Sequence, residues 1–118
     1  MNHKYIPQKF EIFFDDLLCE LAKLSSIHTM TKKKINNIRI ENRNIFVATE
    51  KSSPKFEEIP LNFIKTTYEE LLRNNEVSQS YLSETLYVKR SAFIMSAFSL
   101  LEYIEYDANN NSIKVINK

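Results

Sequence analysis

The chain has no glycine at any of its 118 positions, no tryptophan, and one cysteine. Glycine's absence removes the phosphate-cradling loop and the dinucleotide-binding turn, because both need backbone that only glycine allows at close approach. The lone Cys19 excludes an internal disulfide and a thiolate metal cluster. No apolar run nears the ~20 residues of a membrane-spanning helix. Nor does an apolar segment follow a basic start, so a cytoplasmic protein with no membrane association is expected. Apolar residues make up 43%, which is ordinary for a folded domain and argues against long disorder. A chain of this length holds one core, or one core with an appended layer.

The net charge of +1 conceals an asymmetry. Residues 1–55 carry ten Lys and Arg against six Asp and Glu, giving +4, whereas residues 56–118 carry six against nine, giving −3. Where glycine would turn the chain, asparagine stands instead: Asn42 and Asn44, Asn74 and Asn75, Asn109 to Asn111. Asparagine tolerates left-handed backbone better than other residues with a side chain, so it can close helices and hairpins. The abundance of Asn, Lys and Ile also fits an AT-rich coding sequence of the kind found in some bacteria and their mobile elements.

After a loose leader over residues 1–8, Phe10, Phe13, Phe14, Leu17, Leu18, Leu21 and Leu24 form one stripe of a helix predicted to run to about Ser25. Thr29 to Lys34 is a polar, basic connection. Residues 35–40 and 45–49 are β-rich and flank the turn Glu41 to Asn44, which predicts a hairpin. A loop from Lys51 to Glu58 leads to Pro60, a residue favoured at a helix start. Leu61, Ile64, Tyr68, Leu71 and Leu72 then recur at helical spacing until Asn74-Asn75 stops them. Ser78 can cap the next helix, with Val77 and Leu82 as a hydrophobic staple. A third helix covers Ser91 to Leu101, and residues 103–106 and 113–116 flank a second turn.

Helix, helix, helix, hairpin is the order of a winged helix, and in such a motif the third helix presents its first side chains to base edges. Lys89 and Arg90 stand at its start as phosphate or base contacts, and Ser91, Ser96 and Ser99 can add hydrogen bonds. The helix itself reads in two registers. If Phe93, Ala97 and Leu100 fill the core, Ile94, Met95 and Phe98 face outward and suit a protein partner. If Ile94, Phe98 and Leu101 are the core set, a small face of Ala92, Ser96 and Ser99 is left outside. The wing brings one cation, Lys114, against Glu105 and Asp107, and reads as a hairpin that closes the core.

Lys32, Lys33 and Lys34, with Arg39 and Arg43, form the one basic concentration, either a backbone-binding patch or a solvated connection. His3 and His28 lack a partner at metal-ligand spacing, so no metal or cofactor is expected. Asp15-Asp16 with Glu20, and Glu57-Glu58, read as solvent-facing charges, since adjacent carboxylates on a helix point apart. Glu50-Lys51 lacks the spacing and the upstream acid of a nuclease. An enzyme is therefore not expected.

Thr49-Glu50-Lys51-Ser52, Ile59-Pro60, the run Lys89 to Ile94 and the run Leu100 to Tyr106 resemble winged-helix-like modules of bacterial restriction and mobile-element systems. The resemblance covers residues 45–116. It implies a module that serves a larger assembly by contacting DNA or a partner subunit. The expected architecture is a single α+β domain over residues 1–118, with a helix and β-hairpin extension (1–58) packed on a winged-helix half (59–118). The expected function is non-catalytic binding of double-stranded DNA through Lys89, Arg90, Ser91 and Ser96, helped by Lys32, Lys33 and Lys34. The alternative is a protein-interaction module, or a small phage or plasmid inhibitor, that uses Ile94, Met95 and Phe98. A homodimer is compatible with either.

Overall fold

The computed structural model describes residues 4–30, 33–49 and 55–116. Helix α1 (Phe10–Leu21) forms on the aromatic stripe and buries Phe13, Phe14, Leu17 and Leu21. It stops short of the expected Ser25, because Lys23 N–H and Leu24 N–H tighten onto the carbonyls of Glu20 and Leu21. The chain then enters a strand that the sequence did not announce, β1 (Ser26–His28). It pairs antiparallel with β2 (Ile35–Glu41), which returns through the expected hairpin into β3 (Asn44–Ala48), and β3 pairs with β4 (Glu57–Glu58). The turn between β2 and β3 puts Asn42 at φ 51° and Arg43 at φ 66°, the two left-handed residues that a tight hairpin requires.

The second half begins with α2 (Leu61–Asn74), which Asn75 closes at φ 67° by donating its N–H to the carbonyl of Leu71. Strand β5 (Glu76–Ser78) follows, then a short helix whose Tyr81–Thr85 portion is in the π form. Ser78 caps it as expected, its Oγ accepting from the N–H of Tyr81 at 3.1 Å. Helix α3 (Ser91–Phe98) precedes β6 (Ile104–Asp107) and β7 (Ser112–Val115). The molecule is thus an α+β domain with two antiparallel sheets, ordered β1-β2-β3-β4 and β5-β7-β6. Among the described residues, no helix is long and apolar enough to cross a membrane.

One hydrophobic cluster runs through both halves. Phe13 lies at its centre, fully buried, 4.6 Å from the ring of Tyr68 on α2 and edge-on to Phe98 on α3 at 4.9 Å between centroids. Deleting such a buried ring typically costs about 3–5 kcal/mol, a large share of a small domain's stability. Asp16 departs from the expected solvent-facing charge. It is buried, and its Oδ2 accepts a 2.8 Å hydrogen bond from the hydroxyl of Tyr103. Asp15 pairs instead with Arg43 at 2.7 Å, so the two neighbouring carboxylates do point apart, one of them inward. The hydroxyl of Tyr68 donates to the carbonyl of Pro7 at 2.5 Å, drawing the leader onto α2.

Burial, and then the hydrogen bond and charge of Asp16, hold the Tyr103 phenol well above the ordinary tyrosine range. A raised pKa means that the folded state favours the protonated form. Its contribution is complete below the unfolded value of about 10 and is lost as pH rises above it, where only the unfolded chain ionises. Denaturant unfolding between pH 7 and 11 should therefore show stability falling from about pH 10 upward. Tyr103→Phe should be less stable at pH 7 by about 1–3 kcal/mol, having lost a hydrogen bond to a buried carboxylate. Its decline above pH 10 should be shallower than that of the parent. Parallel declines would separate Tyr103 from the alkaline limit.

Candidate functional site

The core set Ile94, Phe98 and Leu101 of the second register is buried and Ala92 and Ser99 are partly open, but Ser96 is buried, and the outward face of the first register is buried throughout. Within α3, Ser91, Phe93, Ile94, Met95, Ser96, Ala97 and Phe98 are all buried, leaving only Ala92 partly open. Strand β1 and helix α1 of the first half and β7 of the second all pack against α3. The extension therefore covers the side that a free three-helix unit would leave in water. Ile94, Met95 and Phe98, at 1%, 1% and 0% exposure, offer no surface to a partner and belong to the core. Ser96, 1% exposed, cannot reach a base, and Ser91 is 6% exposed. Sequence reasoning missed this because the covering strand is three residues long and has no alternating pattern.

The cations at the start of α3 behave differently. Lys89 is exposed, while Arg90 is half-buried and forms an ion pair with Glu57 of β4, tying the two halves together. Arg90 adopts φ 62°, and three residues earlier Tyr87 adopts φ 55° with its ring 76% exposed. The backbone on either side of Tyr87 is pinned, with Leu86 N–H donating to Tyr81 O at 3.0 Å and Val88 N–H to Leu82 O at 2.8 Å. Sequence reasoning gave Tyr87 no role.

Across from this turn lies the β1–β2 connection. Thr29 organises it: its Oγ accepts from Lys34 N–H at 3.0 Å, its N–H donates to Lys34 O at 2.9 Å, and its carbonyl accepts from Lys33 N–H at 3.1 Å. Lys33 and Lys34 are both exposed, and Lys33 sits at φ 56°. Lys32 lies outside the described residues. The other two members of the basic concentration lie on the surface, in exposed ion pairs and over aromatic rings. Arg39 pairs with Glu41 at 3.1 Å and covers the rings of Phe46 and Phe56, and Arg43 lies over Phe14 as well as on Asp15.

Between the connection and the start of α3 opens a cleft of about 640 Å³. Lys34, Ile35 and Asn36 line it from the first sheet, and Arg90, Ala92 and Phe93 from α3. The short helix adds Gln79, Ser80, Ser83 and Glu84, and the wing turn adds Asn111. A hydrogen-bond relay holds the last of these in place: Tyr106 donates to Asn111 Oδ1 at 2.8 Å, and Asn111 Nδ2 to Gln79 Oε1 at 2.9 Å. The fold therefore brings Lys34 and Arg90, far apart in sequence, to one apolar-floored, polar-rimmed cleft. Its volume is that of a small-ligand or single-residue recognition pocket. The wing contributes no free cation among the described residues, since Lys114 is 3.5 Å from Asp107. Asp107 is also held by Asn109 N–H and Asn110 Nδ2, each at 3.0 Å.

Ser96 Oγ is the one buried side-chain polar atom without a hydrogen-bond partner among the described residues. A hydroxyl in that state costs desolvation without return. Ser96→Ala should keep or raise the thermal midpoint, by up to about 1–2 kcal/mol in stability. A variant destabilised by more than 1 kcal/mol would show that the hydroxyl is satisfied in solution.

No known family model, curated protein or solved structure matches the chain.

Proposed function

We propose that this protein is a non-catalytic DNA-binding module of winged-helix type, a regulator or a subunit of a bacterial defence or mobile-element system. The run α2, β5, short helix, α3, β6, β7, with sheet order β5-β7-β6, supports the winged-helix reading. In this reading the contact surface is the turn before α3 together with the β1–β2 connection, not the body of the helix. The observation that carries it is the meeting of Lys34 and Arg90 on one cleft, with Lys33 and Lys89 exposed beside them. Phosphate contacts supply the larger part of non-specific affinity, so clustered cations matter more here than the acidic balance of residues 56–118.

Glu57 competes with phosphate for Arg90. A part-exposed ion pair contributes only about 0–1 kcal/mol, so a phosphate can displace it. A second reading, a protein partner, has its own observation in the exposed ring of Tyr87, since tyrosine is a common interface anchor. Ile94, Met95 and Phe98 take no part in that reading.

A salt titration of binding to labelled DNA should give a log–log slope of about −2 to −4, for three or four displaced counterions. Lys34→Glu with Lys89→Glu should reduce affinity by about a hundredfold at low salt while circular dichroism stays unchanged, since each phosphate contact adds to the electrostatic term. Glu57→Gln should strengthen binding several-fold by freeing Arg90. No binding at low salt, or a double variant with unchanged affinity, would contradict the reading.

A further inference from the structure

We infer that the cleft and the turn before α3 take a single strand rather than a duplex, with a base stacked on Tyr87. The inference rests on the DNA-binding reading and specifies its ligand. Two elements carry duplex recognition in a winged helix, the third helix in the major groove and the wing on the backbone. Here α3 offers a duplex little to read, because seven of its eight residues are buried and only Ala92, at the cleft, is partly open. The wing carries one cation, Lys114, against Glu105 and Asp107, a net negative charge that a phosphate backbone repels. Neither element is placed to read a duplex.

What stays exposed matches a single strand. Tyr87 is the most exposed large apolar side chain, at 76%, and it holds a left-handed backbone that disfavours any residue with a Cβ by about 1–2 kcal/mol. Such strain persists where surrounding structure imposes it, and the hydrogen bonds on both sides of Tyr87 do so. Lys89 and Arg90 follow two and three residues on, so their Cα atoms lie within about 11 Å of that of Tyr87. Successive aromatic and cationic groups of this kind bind single strands, the ring stacking on a base of any identity and the cations holding the backbone.

The cleft beyond Arg90 supplies the second station. Ala92, Phe93 and Ile35 give it apolar surface for a base face, while Gln79 brings an amide whose Nε2 can donate to a base edge, its Oε1 being held by Asn111. A paired base has both faces stacked and its pairing edge occupied, and so cannot enter. Glu84 of the short helix also lines the cleft and disfavours phosphate beside it.

The test is fluorescence anisotropy at low salt with a labelled twelve-nucleotide mixed-sequence DNA strand and with the same strand annealed to its complement. The parent should bind the single strand at least about tenfold more tightly, the stack on one ring being sufficient for that. Tyr87→Asn should lose about tenfold for the single strand and nothing for the duplex. Its thermal midpoint should be equal or higher, because asparagine accepts the left-handed backbone more easily. Tyr87→Phe should retain binding. A duplex bound as tightly as the single strand, or a folded Tyr87→Asn with unchanged single-strand affinity, would overturn the inference and leave the DNA-binding reading standing. Binding of neither probe would remove that reading itself and transfer Tyr87 to a protein partner.

Discussion

Phe13 of α1 meets Phe98 of α3 edge-on, 4.9 Å between ring centroids, and on the same helix Asp16 accepts the hydroxyl of Tyr103. These contacts fasten the first half of the chain onto the second, and their consequence is the enclosure of α3. An eight-residue helix with seven buried side chains cannot be a surface element. It is the centre of the molecule, with β1 and α1 covering what the C-terminal hairpin does not. Each apolar side chain so buried contributes about 1.5–3 kcal/mol, which a half-chain with α3 half open would forgo.

Enclosure moves whatever this surface binds to the rim of α3. Lys34 and the lightly held Arg90 line one cleft, and their sequence neighbours Lys33 and Lys89 are exposed. Backbone strain collects there as well. Seven described residues have positive φ and none can be glycine; three of them are Asn42, Asn75 and Asn111, which accept it readily. Of the other four, Arg43 closes a hairpin, Lys33 lies in the β1–β2 connection, and Tyr87 and Arg90 lie in the turn before α3. A chain without glycine has placed its least comfortable residues beside its most exposed aromatic ring.

Long periodic signals were legible in the sequence. The stripe of α1, the α2 stripe with its Asn75 stop, the Ser78 cap and both hairpins stand where spacing and capping chemistry put them. Short pairings were not. Ser26–His28, Glu57–Glu58 and Glu76–Ser78 are strands of two or three residues, formed because a neighbouring edge offers partners and not because of their own side chains. Strand β1 matters most among them, since it packs against α3, which without that cover needs an outer face. Lys89, Arg90, Lys33 and Lys34 were identifiable as surface cations from residue type alone, but their meeting depends on tertiary packing. Tyr87 gave no signal, because an exposed tyrosine in a turn has no pattern; its left-handed backbone becomes visible only in three dimensions.

The enclosure of α3 is tested most directly by native-state hydrogen exchange with increasing denaturant. If α1 and β1 are integral to the core, amides of α1 and α3, Leu17 and Ile94 among them, should exchange only through global unfolding, at one common free energy. Exchange of α1 amides at a free energy several kcal/mol below that of α3 would contradict it. The first half would then be a detachable cover, and the face of α3 beneath it would be open to a ligand.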